Sequence, residues 1–151
     1  MEEFIMFLSK LIRPRQTAWA HCDGPCGVYD PASARIAAEA VLSMEKKLAA
    51  LGDASDLATD NTRSRFIAIK EQQADLAKKE LNILWHDYFK PEHLEKFPDL
   101  HTTFWNAAKL CSKNKTESNP DNGEALLATI EKIHNMFWAT KNREVAFYRA
   151  S

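Results

Sequence analysis

Asp30-Pro31-Ala32-Ser33-Ala34-Arg35-Ile36-Ala37-Ala38-Glu39-Ala40-Val41-Leu42-Ser43-Met44-Glu45-Lys46-Lys47-Leu48-Ala49-Ala50-Leu51 reads as one amphipathic helix and sets the architecture expected of the whole chain. It opens with an Asp suited to capping and a Pro at the first helical position, where the missing amide hydrogen has no intrahelical partner to lose. Ile36, Ala40, Met44 and Leu48 then recur at helical spacing, which predicts an apolar stripe facing a core. Gly52-Asp53-Ala54-Ser55-Asp56 breaks the pattern.

Three further segments of the same kind follow. A long one runs from about Thr62 to Tyr88 through Phe66, Ile69, Leu76, Ile83 and Leu84, and Pro91 and Pro98 then delimit a loop. Asp99 to Ser112 places Leu100, Phe104, Ala107, Ala108 and Cys111 on one face. After a polar loop over Asn114–Gly123, the stretch from about Asn122 to Arg143 carries Leu126, Ile130, Ile133, Phe137 and Trp138. Strand signals are sparse and there is no internal repeat. The expected fold class is therefore all-α, an antiparallel four-helix bundle with an N-terminal metal-binding hook.

With 151 residues, 45% of them hydrophobic, the chain suits one domain with a core that needs no disulfides. A net charge of -1 without a basic stripe gives no footprint for nucleic acid or an anionic membrane, so neither is expected as a partner. No apolar run approaches the roughly 20 residues of a membrane span. Three Cys is an odd number for a secreted disulfide framework, and points to thiols that are reduced or metal-bound.

The hook lies just before the first helix: His21-Cys22-Asp23-Gly24-Pro25-Cys26-Gly27-Val28-Tyr29-Asp30-Pro31. Two thiols and an imidazole this close in sequence can reach one ion, and Gly24-Pro25 followed by Gly27 lets the backbone fold around it. The Gly24-Pro25 bond is a candidate for the cis isomer. A Cys-x3-Cys spacing by itself also fits a disulfide, half of a zinc site, or two unrelated thiols. A thiol redox protein and a metal-carrying bundle without turnover thus stand beside an enzyme as readings of these residues.

The complete undecapeptide resembles the nickel-binding hook of nickel superoxide dismutases, whose pattern is His-Cys-Asp-x-Pro-Cys-Gly-Val-Tyr-Asp-Pro at the start of the mature chain. Ile69-Lys70-Glu71-Gln72 and Leu84-Trp85-His86-Asp87-Tyr88-Phe89-Lys90-Pro91 are similar to the family's second signature, so the resemblance runs from His21 to about Lys141. It implies disproportionation of superoxide to dioxygen and hydrogen peroxide at one nickel ion per subunit cycling between +2 and +3. It also implies Cys22 and Cys26 as thiolate ligands, the His21 amine and Cys22 amide as nitrogen ligands, and the His21 imidazole as an axial ligand of the oxidised metal. The implied assembly is a homo-oligomer, a hexamer, in the cytoplasm. Tyr29 and Tyr88 are assigned to ordering water or peroxide at the open face of the metal, and Lys90 to attracting the anion.

Residues 1–20 read as a removable leader, with 21–151 as the bundle domain and 21–29 as the hook. Phe4, Ile5, Phe7, Leu8, Leu11 and Ile12 form a short apolar helical face, followed by Arg13-Pro14-Arg15. Ala18-Trp19-Ala20 has the form of a secretory cleavage site, but Glu2 and Glu3 make the start acidic, and Ser9 and Lys10 interrupt the apolar core. The alternative is an amphipathic helix that stays attached. In the family that the hook resembles, a propeptide is cut just before the hook's His by a processing peptidase. Cleavage would convert the residue 21 nitrogen from an amide, a poor ligand, into an amine.

The resemblance has departures. Gly24 stands where the best-known members carry an apolar residue such as Leu. Ala37 and Gln73 stand where those members carry a Glu and an Arg that orient the axial imidazole. Losing one partner of such a pair strands a buried charge, whereas losing both can be nearly neutral. His86, His93, His101 and His134 share no ligand spacing and read as surface or hydrogen-bonded structural residues. Cys111 reads as a buried small hydrophobe, and Phe104, Trp105, Phe137 and Trp138 as core or subunit contacts.

Overall fold

The computed structural model describes residues 27–150, all of whose regular structure is helical. Helix α1 spans Ala32–Leu51, α2 Leu57–Ile83, α3 His93–Lys96, α4 Leu100–Thr116 and α5 Pro120–Thr140, with a π-helical turn at Leu84–Tyr88 closing α2. The starts follow local chemistry. Asp30 Oδ1 accepts the Ala32 amide at 2.8 Å, with Pro31 already in helical conformation. Asp56 accepts the amides of Ala58 and Thr59, and Asn119 accepts that of Asp121 with Pro120 in the first turn of α5. Gly52 stops α1 with φ +56°, a conformation that L side chains resist.

Four long helices form the bundle. Helix α1 packs on α2 and α5, and α4 packs on the same two. Lys115 pairs with Asp75, Lys78 donates to Ser112, and Trp85 donates to His101, so α2 and α4 run in opposite directions. The fully buried centre includes Leu81, Leu100, Phe104, Leu126, Ile130 and Phe137. The expected antiparallel bundle is what the chain forms.

The sequence pattern placed some faces wrongly. Ile36, expected on the core stripe of α1, is 58% exposed, and Ala40 is only half-buried. The helix turns Ala34, Ala37, Ala38 and Val41 inward instead, because small side chains let α2 and α5 approach closely. On α2 the buried line is Lys70, Ala74, Ala77 and Leu81, while Ile69 and Leu76 are 38% and 41% exposed. Trp105 also lies mostly in solvent. Helix α2 begins ahead of the expected Thr62, α3 occupies part of the expected loop, and the expected polar loop over Asn114–Gly123 shrinks to the residues between Thr116 and Pro120.

Beyond α5 the chain turns back as a strap across α1 and α5. His134 Nε2 lies 2.7 Å from the Val145 carbonyl, Arg149 pairs with Glu124 at 2.5 Å, and the Ala150 amide donates to Glu39 at 2.8 Å. Arg35 pairs with Glu39 and lies over the Tyr148 ring.

Candidate metal centre

His21, Cys22 and Cys26, together with the Gly24-Pro25 bond and the leader, lie outside the described residues. The structure describes the bundle surface from Gly27 onward. The described chain enters at Gly27, whose φ of +64° is one that glycine adopts without strain. Val28 follows, 74% exposed, and then Tyr29 turns onto the bundle.

Tyr29 meets Tyr88 with ring centroids 5.5 Å apart, so two of the three residues assigned to catalysis come together. Tyr88 is placed by the π-helical turn, where the Phe89 amide reaches back to the Leu84 carbonyl and the extra residue swings the ring toward α5. Its ring packs 4.4 Å from that of Phe137, and its hydroxyl lies 2.5 Å from Thr140 Oγ1. Lys90, the third, borders the same cleft of about 300 Å³, with Gly27, Tyr29, Asp87, Tyr88, Glu92 and His93. Its own position is at the surface.

Three neighbours of this cleft escaped the sequence reading. His93 stacks beside Tyr88, and its Nδ1 accepts the Lys90 amide at 3.1 Å, which leaves the neutral ring's proton on Nε2. The hydrogen-bonded structural role expected of the histidines holds here, but His93 also lines the cleft. Thr140 and Lys141 arrive from the end of α5, with the Lys141 ammonium 5.1 Å from the Tyr88 ring centroid. A His three residues after Lys90 was a usable signal. Nothing local in the sequence marks the α5 terminus as part of the site.

Ala37 is buried in the core and Gln73 is half-buried, and neither side chain carries a charge. Val28, Asp30 and Glu80 border a smaller cleft of about 140 Å³ with Ser33 and Leu84. Cys111 is excluded as a ligand by its surroundings: burial pushes its thiol up to about 12, with the Lys78 ammonium opposing, so it stays protonated. Among the described residues no three His, Cys, Asp or Glu side chains gather into a metal site. Cys22 and Cys26, whose thiolates would suit nickel, precede the described residues, Cys26 lying three residues ahead of Tyr29 in the sequence.

These features define a helical bundle with a tyrosine-lined cleft at the point where the described chain enters at Gly27. The family model for nickel-containing superoxide dismutase matches residues 16–141. The superoxide dismutase [Ni] of Streptomyces seoulensis is 46% identical over 134 residues, spanning 89% of this chain and 98% of its own length. That of Streptomyces coelicolor is 45% identical over the same shares. Among solved structures, a native nickel superoxide dismutase at 1.30 Å is 44% identical with a TM-score of 0.73, covering 82% of this chain and all of its own. One with nickel ligation corresponding to the oxidised state is 47% identical, with the same score and coverage. The chain belongs to the nickel-containing superoxide dismutase family. It is a nickel-dependent oxidoreductase and its cofactor is nickel. The family model's match ends at Lys141, ahead of the strap.

Proposed function

We propose that the chain matures by cleavage before His21 and then disproportionates superoxide to dioxygen and hydrogen peroxide, using His21, Cys22 and Cys26 as nickel ligands. The observation that carries this reading is the pairing of Tyr29 with Tyr88 in a cleft bordered by Lys90, three residues beyond Cys26. When bound, nickel supplies one-electron chemistry between its +2 and +3 states, which thiolate and deprotonated amide donors make accessible. A solved relative exists both with nickel ligation corresponding to the oxidised state and after partial X-ray-induced reduction, in keeping with such a couple.

The chain's own residues have separate tasks. The thiolates of Cys22 and Cys26 hold the metal, and cleavage frees the His21 amine to join them. Tyr29 and Tyr88 order water or peroxide in their cleft, while Lys90, beside Asp87 and Glu92, adds positive charge that attracts the anion. Ile36, Ile69 and Leu76 are apolar side chains left exposed on α1 and α2, in keeping with self-association, a homohexamer by the family resemblance. The reading places maturation by a peptidase, and the enzyme itself, in the cytoplasm.

The test is intact mass, nickel content, sedimentation and superoxide decay on protein produced with its processing machinery and nickel. A chain starting at His21, with about one nickel per subunit and rapid superoxide decay, is the expected result. If chain cut at His21 binds no nickel, or binds it and leaves superoxide intact, the dismutase reading fails.

A further inference from the structure

The hydroxyls of Tyr88 and Thr140 lie 2.5 Å apart, bridging 52 residues of sequence. Distance alone does not say which of them donates. The rest of the Thr140 environment does. Its Oγ1 also lies 2.6 Å from the Phe137 carbonyl oxygen, which can only accept. That carbonyl belongs to the last turn of α5, where acceptors lose their helical partners, and the Lys141 amide bonds Trp138 instead. The Thr140 hydroxyl fills the vacant place, as threonine hydroxyls near helix ends commonly do.

Threonine has one hydroxyl hydrogen, and here it is committed to Phe137. The short contact with Tyr88 therefore needs the phenol's hydrogen, so Tyr88 donates to Thr140. A phenol also has only one such hydrogen. Any other partner of the Tyr88 oxygen must then be a donor. The ring has little freedom to escape this arrangement, being packed against Phe137, Phe89 and Tyr29 at 4.4, 5.1 and 5.5 Å.

We propose that Thr140 is a positioning residue that commits the Tyr88 hydroxyl proton to α5, so that Tyr88 meets molecules in the metal cleft as a hydrogen-bond acceptor. This deepens the proposed dismutase reading and rests on Tyr88 serving that site. The substrate anion carries no proton and gains nothing from an acceptor, whereas water and hydrogen peroxide both have protons to donate. Tyr88 thus selects for ordered water and for the protonated product. In the overall reaction two superoxide anions and two protons give one dioxygen and one hydrogen peroxide. Both protons come from solvent through such water, and the phenol keeps its own.

The experiment reads the tyrosine Fermi doublet by Raman spectroscopy, whose intensity ratio distinguishes donating from accepting phenols. Subtracting the Y88F spectrum isolates Tyr88 from the other two of the chain's three tyrosines. It is recorded on the full chain without nickel and on the nickel-loaded enzyme. The wild-type difference spectrum is expected to show a donating phenol, T140V to abolish that signature, and T140S to restore it. Superoxide decay by the loaded enzyme should fall about 5- to 10-fold in T140V, recover in T140S, and show no added loss when T140V is combined with Y88F. An accepting signature in the wild type, or a doublet unmoved in T140V, overturns the inference. The wild-type doublet decides this even if T140V fails to fold. If the doublet responds as expected but Y88F decays superoxide at the wild-type rate, the placement of Tyr88 in the site fails instead.

Discussion

Tyr29 and Tyr88 meet with their rings tilted by 54°, joining the residue that leaves the hook to the turn that ends α2. The contact makes the hook's exit part of the bundle, since Tyr29 packs on the core cluster from outside and Tyr88 adds Phe137 behind it. Both residues line the cleft, each with a ring in the packing and a hydroxyl, and substitution by Phe removes only the hydroxyl. Y29F and Y88F should keep nickel content and thermal midpoint close to wild type while lowering kcat by about tenfold. Pulse radiolysis on samples of measured nickel content checks this. An equal loss of nickel and rate would mean the hydroxyls serve to hold the hook.

The three cysteines should behave as two classes. Cys111 is sealed in the core and held as a thiol, so C111A should leave nickel binding and superoxide decay unchanged and cost on the order of 1 kcal/mol of stability. C22S and C26S should lose nickel at equimolar loading, because a hydroxyl is a hard and weakly acidic donor where a thiolate is needed. Metal analysis after gel filtration distinguishes the two, and nickel retained in C26S would sink the ligand assignment.

At the other end of the bundle, Glu45 and Lys70 are both buried. Burial raises the Glu45 carboxyl from 4.5 to about 7, against the pull of the Lys70 ammonium. Burial likewise lowers Lys70, which donates to the carbonyls of Lys115 and Glu117. Because Glu45 is raised, the folded state holds a proton that the unfolded chain has released between pH 4.5 and about 7. Its contribution to stability is therefore complete below that window and is lost as pH rises through it, by up to about 1.4 kcal/mol per pH unit. E45Q should flatten this slope in urea melts between pH 5 and 8, while Lys70 keeps its two carbonyl acceptors. Parallel slopes for wild type and E45Q would assign the pH dependence elsewhere. Gly123 closes the same site: a Cβ there would sit 2.6 Å from Glu45 Oε2 and 3.1 Å from Leu42 Cα.

Helix existence was legible where punctuation is local, as at Asp30-Pro31 and the break at Gly52, whereas the starts set by Asp56 and by Asn119-Pro120 were read too late, at Thr62 and Asn122. Which face turns inward was not legible. Ile36 and Leu76 carry the size that a pattern search rewards, yet the helices approach through Ala34, Ala38, Ala74 and Ala77. At the site, Tyr29, Tyr88 and Lys90 were recoverable from motif, since the hook and the second signature each form a contiguous run. Thr140 and Lys141 belong to neither and reach Tyr88 only because α5 ends beside the π-helical turn, a tertiary fact.

The strap beyond Lys141 gives a test of how far the site depends on the rest of this chain. It lies against α1 through the Ala150–Glu39 and Arg35–Tyr148 contacts, and against α5 through Val145–His134 and Arg149–Glu124. With Phe147 on the core cluster, it covers a groove of about 170 Å³ that starts at Asp30 and Ala32, just past the hook. Ending the chain after Lys141 keeps Thr140 and Lys141 but uncovers this groove. The loss should be about 2–4 kcal/mol, from one buried aromatic side chain and several hydrogen bonds of modest net worth. Because Tyr29, Tyr88 and Lys90 make their cleft without the strap, nickel content and superoxide decay at 25 °C should persist while the thermal midpoint falls. Calorimetry beside nickel analysis separates the contributions. A truncated protein that keeps its thermal midpoint but releases nickel would instead make the strap a brace for the start of α1, and through Asp30 for the hook itself.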